Sequence, residues 1–206
     1  MIVFVDFDGT ITDIDTFDAL VRAGAGYAAW RDIDDELVAG QITLRDALAR
    51  QAALVRFSKA ETLAFLEANA TVDPAFATFV ARVRAHGGEV RVVSSGVASV
   101  IHDALELAGV DVPVLANDVD YAPDGWTITF IDDSANGHDK AAHVEAARAA
   151  GYATVYIGDG ISDFAAAEIA DRVFAKKDRA LEHYCSERGI ACTVFTSFAE
   201  IERTLF

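Results

Sequence analysis

Two carboxylates spaced two apart at the end of an apolar run constrain this chain more than any other feature. The stretch reads Ile2-Val3-Phe4-Val5-Asp6-Phe7-Asp8-Gly9-Thr10, with Asp13 and Asp15 close behind. Its β-branched and aromatic residues read as a strand buried on both faces. In extended backbone, alternate side chains point the same way, so Asp6 and Asp8 share a direction. Like charges held that close are costly unless a cation or a proton is shared between them.

The 206 residues suffice for one well-cored domain with a small insert. Apolar residues make up 52% of the chain and the mean hydropathy is +0.24, so a sizeable core forms without a membrane. No run of 18 apolar residues occurs and no basic segment precedes an apolar one, so neither a membrane span nor a signal peptide is expected, and the location expected is cytoplasmic. The two cysteines, Cys185 and Cys192, make no disulfide framework. Lys and Arg number 17 against 33 Asp and Glu, a formal charge of −16, with no basic cluster. Nucleic acid and anionic membrane are therefore poor partners, and an anionic ligand needs a local positive site.

After Thr10 the pattern turns helical, with apolar spacing from Asp15, again from Thr43 as an N-cap, and again from Ser58, where Ser58-Lys59-Ala60-Glu61 forms a capping box. Residues 14–71 read as a helical insert without strands. From Pro74 onward, helices and short strands alternate to the C-terminus. The strands expected are Val90–Val93, Val112–Ala116, Thr154–Ile157, Val173–Ala175 and Cys192–Phe195, with Trp126–Phe130 as a hairpin arm. That alternation predicts an α/β fold, a doubly wound parallel sheet with helices on both faces.

Ligands of such sheets collect beyond the carboxyl ends of the strands. There the chain places Asp6-x-Asp8-Gly9-Thr10, the turn Ser94-Ser95-Gly96, and Gly158-Asp159-Gly160-Ile161-Ser162-Asp163. Asn136-Gly137-His138-Asp139-Lys140 opens a helix between the last two. Four carboxylates with all-oxygen donors suit Mg²⁺ better than zinc. Lys140, Ser94 and free backbone N–H groups at Gly9, Thr10 and Ser95 would grip phosphate oxygens. One carboxylate can attack phosphorus while a second moves the protons. General acid–base catalysis supplies about 10²–10⁴ of an acceleration that reaches up to ~10²¹ for phosphate monoesters, so the carboxylate pair alone is not enough.

At these residues the chain resembles the haloacid dehalogenase superfamily of phosphatases. The resemblance implies a Rossmann-like core over residues 1–13 and 72–206 with a small helical cap over 14–71. It implies Asp6 as nucleophile, Asp8 as general acid/base, and Mg²⁺ held by Asp6, Asp159 and the Asp8 carbonyl with support from Asp163. Ser94, Ser95, Gly96 and Lys140 would hold the phosphoryl group alongside Gly9 and Thr10. The substrate implied is a small phosphomonoester. Asp15, nine residues after Asp6, stands where phosphoserine phosphatases carry a glutamate. That aspartate, and the tail from Val173 to Phe198, look more like the phosphatases of 2-hydroxy-3-keto-5-methylthiopentenyl-1-phosphate. Phosphoserine phosphatase or a related phosphotransferase is the alternative, and a phospho-accepting receiver-like module is a different class. Arg45 and Arg50 on the second insert helix either face the substrate or pair with nearby acids. His86, His102, His143 and His183 show no ligand spacing.

Overall fold

A computed structural model describes all 206 residues. Its centre is strand β1 (Ile2–Val5), every residue of which is buried. β1 pairs in parallel with β2 (Glu89–Val97) on one side and β5 (Thr154–Gly158) on the other. The sheet continues through β3 (Val114–Asp120) to β4 (Thr127–Thr129) at one edge, and through β6 (Arg172–Lys176) to β7 (Cys192–Phe195) at the other. Six strands run parallel, and β4 turns back antiparallel on β3 as a hairpin arm.

The period-2 alternation of β1 divides its side chains between two layers. Val3 and Val5 join Val90, Val92, Val155 and Ile157 under α5 (Phe76–Ala85), α6 (Ala98–Leu107) and α10 (Phe198–Leu205). Ile2 and Phe4 join Val93 and Tyr156 under α7 (Lys140–Ala149) and α8 (Phe164–Ile169). A last helix, α9 (Ala180–Arg188), packs on β6 and β7. No helix is long and apolar enough to cross a membrane.

Between β1 and α5 lie four helices: α1 (Thr16–Ala25), α2 (Tyr27–Val38), α3 (Leu44–Ala52) and α4 (Lys59–Asn69). The Thr43–Asp46 and Ser58–Glu61 capping boxes both form. The sequence reading singled out three of these helices. α2 escaped it because Asp32, Asp34, Asp35 and Glu36 interrupt its apolar period and only Trp30 and Ile33 are buried. Two chain crossings join this block to the sheet, tied by a bridge between Thr12 and Val72 and by Asp13 N–H donating to Thr71 O at 3.1 Å. The block is also docked on the β3–β4 hairpin. Trp126 is buried with Leu48, Ala52 and Val55, and its Nε1–H donates to Phe57 O at 2.7 Å.

Candidate active site

β1 ends at Val5, but Asp6 N–H still donates to Ile157 O at 2.9 Å, so Asp6 is held in sheet register. The chain then folds into a tight turn. Phe7 O accepts from the amides of Thr10, Ile11 and Thr12, and Gly9 N–H donates to Ile14 O at 3.1 Å. The amides of Gly9 and Thr10, expected to be free for phosphate, are therefore engaged inside the turn, and neither residue lines the cleft described below. Gly9 adopts φ +73°, a region where L side chains are disfavoured, and a Cβ there would sit 2.5 Å from Asp159 Oδ2. Thr10 serves the site differently, its hydroxyl donating to Asp159 Oδ1 at 3.2 Å.

Asp8 Oδ1 accepts from both the N–H (2.9 Å) and the hydroxyl (2.5 Å) of Thr16, at the start of α1. Burial raises the Asp8 carboxyl above its ordinary range, and the two Thr16 bonds pull the other way. Its Oδ2 lies against Gly96, where a Cβ would come within 2.5 Å of it.

Ser94, Ser95 and Gly96 are not a turn after the strand, as the sequence suggested, but part of β2, which runs on to Val97. The β2–β3 register shifts between Val93 and Val97, where this stretch lacks β3 partners. Ser94 Oγ accepts from Gly96 N–H at 2.9 Å. Behind Ser94 stands a buried histidine that sequence spacing did not single out. His138 ring Nδ1 lies 2.8 Å from Ser94 O, so it carries the proton there, and its Nε2 is 2.8 Å from His143 Nε2. Burial pushes His138 down to about 4, leaving it neutral.

Lys140 opens α7 and is 2% exposed. Its three donors are all used, on Asp6 Oδ1 (2.7 Å), Asp163 Oδ1 (2.7 Å) and Ser162 Oγ (2.9 Å). The two carboxylates raise its pKa against the cost of burial and keep it charged. Asp163 turns back on its own loop. Its Oδ2 accepts from the amides of Asp159 and Gly160, both at 2.9 Å, and its Oδ1 from Lys140 and from Tyr156 Oη at 2.6 Å. Both oxygens are thus saturated, which suits Asp163 to supporting a metal site.

Carboxylate oxygens of Asp6, Asp159 and Asp163 lie within 4.8 Å of one another. Three carboxylates against one ammonium leave a formal local charge of −2. Burial, then the charge of Asp163, pushes Asp6 well above the usual carboxylate range, and because Lys140 is shared with Asp163 it offsets only part of this. The same two causes raise Asp159 to about 6. An all-oxygen set that resists holding its own charge fits a hard divalent cation such as Mg²⁺.

These groups face a cleft of about 220 Å³, below the roughly 300–1,000 Å³ of sites for drug-sized ligands. Asp6, Asp8, Ser94, Ser95 and Asp159 form its core wall. The opposite wall comes from α1 to α3, with Asp15, Phe17, Asp34, Leu44, Leu48 and Gln51. Asp15 caps α1, accepting from Asp18 N–H at 2.8 Å. Its place in the cleft and the charges of Asp8 and Asp18 raise its pKa, although its side chain stays in contact with water. Arg45 and Arg50 are not in the cleft. Arg50 pairs with Glu36 at 2.6 Å, and Arg45 lies over Phe130 and donates to Asp132 O.

The family model for haloacid dehalogenase-like hydrolases matches residues 3–168. Over 98% of this chain and 93% of its own length, Pdp3-interacting factor 1 of Schizosaccharomyces pombe is 35% identical. The polyol phosphate phosphatase PYP1 of Saccharomyces cerevisiae is 28% identical over 97% of this chain and 90% of its own. A 2-hydroxy-3-keto-5-methylthiopentenyl-1-phosphate phosphatase of Brevibacillus brevis is 29% identical over 100% of this chain and 95% of its own. Among solved structures, a phospho-aspartyl intermediate analogue of phosphoserine phosphatase superposes with a TM-score of 0.74, covering 98% of this chain and 97% of the other at 20% identity, a likeness of fold.

Proposed function

Since the chain belongs to the haloacid dehalogenase-like hydrolase family and is a phosphatase, we propose that it hydrolyses a small phosphomonoester through a phosphoaspartate on Asp6, with Mg²⁺ as cofactor. The observation that carries this reading is the buried Lys140 ammonium bridging Asp6 and Asp163 at 2.7 Å each, with Asp6 and Asp159 lining the cleft in front of it.

In the first half-reaction an Asp6 carboxylate oxygen forms a bond to phosphorus as the bond from phosphorus to the ester oxygen breaks. Asp8, whose raised pKa favours the acid form, donates its proton to the departing oxygen. In the second, Asp8 takes a proton from water as that water attacks phosphorus, and inorganic phosphate leaves with Asp6 regenerated. The Ser94 hydroxyl, whose own proton is free to donate, holds a phosphoryl oxygen, while Lys140 fixes Asp6 for attack from behind the cleft. Asp6, Asp159 and the Asp8 carbonyl would hold Mg²⁺, with Asp163 fixing the Asp159 loop and Lys140. When bound there, Mg²⁺ would supply Lewis-acid neutralisation of charge on the transferring group.

Residues 14–71 act in this reading as a cap over a core of 1–13 and 72–206, since α1 to α3 supply one whole wall of the cleft. A keto phosphate of the methionine-salvage type is favoured over phosphoserine, because no Lys or Arg lines the cleft to meet a carboxylate. Asp8 and the cleft wall from α1 to α3 weigh against a receiver-like module. Two free thiols fit a reducing, cytoplasmic setting. The test is phosphate release from an aryl phosphate with Mg²⁺. Turnover well above that of Asp6→Asn supports the reading, and none above it sinks it.

A further inference from the structure

The organic part of the substrate meets the wall formed by the helical block, and that wall carries an unexplained polar group. Leu44, Leu48 and Gln51 fall at i, i+4 and i+7 of α3 and so share the face turned to the cleft. Gln51 is only 4% exposed, and its carboxamide, with no hydrogen bond to another protein group, keeps its contact with solvent at the cleft. Across the cleft, the buried hydroxyl of Ser95 is also without a partner. Buried polar groups are nearly always satisfied, so the Ser95 hydroxyl asks for a partner, and the uncommitted Gln51 carboxamide at the same cleft is free to share it. A carboxamide offers both donors and an acceptor, the complement of an alcohol or keto oxygen.

The charges around these two groups say what that partner is not. Six carboxylates line the cleft and no Lys or Arg does, the buried Lys140 being spent on Asp6, Asp163 and Ser162. Asp18 is answered by Trp30 Nε1 and Arg22, but Asp34 has no cationic partner, and Asp15 has only its helix cap. The arginines of α3 that could have met an anion are turned away to Glu36 and Asp132.

The geometry points to Gln51, with Ser95, as the specificity-determining pair that reads hydroxyl or keto oxygens on an uncharged leaving group, while Asp15 and Asp34 exclude a second anion. This rests on the phosphomonoesterase reading above and deepens it. A site built to hydrogen-bond such oxygens discriminates against analogues that lack them, because its polar groups are then left unpaired.

The experiment compares kcat/KM of the full-length protein with Mg²⁺ on matched pairs, using an aryl phosphate as reference. Glycerol 3-phosphate is set against propyl phosphate, which lacks the hydroxyls, and against 3-phosphoglycerate, which carries a carboxylate in place of the terminal hydroxymethyl group. Glycerol phosphate is expected to lead both by at least ~10-fold, since sites that hydrogen-bond a substrate hydroxyl reject analogues lacking it by up to about 10⁴–10⁵. Gln51→Leu should bring its lead over propyl phosphate towards unity, mainly through KM, with the melting temperature recorded to show that the variant is folded. Gln51→Arg should narrow the gap to 3-phosphoglycerate. Equal rates on all three esters by the wild-type protein, or a lead for 3-phosphoglycerate, would overturn the assignment with no variant needed. If the aryl phosphate is turned over in that case, the phosphatase reading stands and only the specificity assignment falls.

Discussion

Tyr156 donates a 2.6 Å hydrogen bond from the middle of β5 to Asp163 Oδ1, the same oxygen that Lys140 holds at 2.7 Å. A phenol deep in the sheet thus steadies the carboxylate that steadies the lysine. Burial and the neighbouring carboxylates keep the phenol protonated, with its pKa well above normal. Tyr156→Phe removes that bond without opening a large cavity. Hydrogen bonds to charged groups are worth about 1.5–3 kcal/mol, so urea unfolding should show a loss of that order. Turnover should fall too, as Asp163 and Lys140 lose a restraint. A variant with wild-type stability and rate would remove Tyr156 from this role.

Asp8 and Asp6 differ in what their loss should leave behind. Asp8 keeps Thr16 as its partner, so Asp8→Asn preserves the turn and removes only the transferable proton. Turnover is expected to drop by about 10²–10⁴, while acid-quenched protein still carries phosphate on Asp6. Asp6→Asn should carry none. Phosphoprotein of equal amount in both variants would show that Asp6 is not the nucleophile.

The pH dependence of metal binding follows from Asp159, held at about 6 in the metal-free protein. A carboxyl raised on folding binds more protons folded than unfolded between its unfolded value and about 6. Its contribution to stability is therefore fully present below the unfolded value and is lost as pH rises through about 6. A cation replaces that proton, so Mg²⁺ should stabilise more at about pH 7.5 than at about pH 5. At a hundredfold excess over Kd the gain is about 2.7 kcal/mol, or roughly 5–10 °C in Tm for a chain this long. A Tm increment from Mg²⁺ that is the same at both pH values would contradict the carboxylate site.

Two glycines with nearly the same backbone angle separate strain from function. Gly9 at φ +73° would place a Cβ 2.5 Å from Asp159 Oδ2, whereas Gly40 at φ +68° has open space around it. Both alanine variants should lose about 1 kcal/mol or more from the left-handed conformation. Only Gly9→Ala should also erase the Tm rise given by Mg²⁺. If Gly9→Ala binds the metal as the wild type does, Asp159 is not held where the structure places it.

The local elements were legible because their causes lie within a few residues. An apolar run before Asp6 makes β1, and Thr43-x-x-Asp46 and Ser58-x-x-Glu61 cap their helices whatever surrounds them. The reactive groups were legible because a parallel sheet gathers the carboxyl ends of its strands, so Asp6, Ser94, Asp159 and the Lys140 helix could be brought together on topology alone. The length of β2 was not, since Ser94-Ser95-Gly96 reads locally as a turn and stays extended through its place beside β1.

The sequence by itself determined which carboxylates lie side by side and which lysine answers them, and so the reaction proposed for them. Only the tertiary structure decided how those groups are held and what they face. Thr16 grips Asp8, Tyr156 grips Asp163, His138 stands behind Ser94, and Gln51 reaches into the cleft as Arg45 and Arg50 turn from it. The physical reason is range. Strand ends, caps and turns follow from neighbours along the chain, while a hydrogen-bond partner or a cleft wall depends on where distant segments pack, which no local pattern encodes.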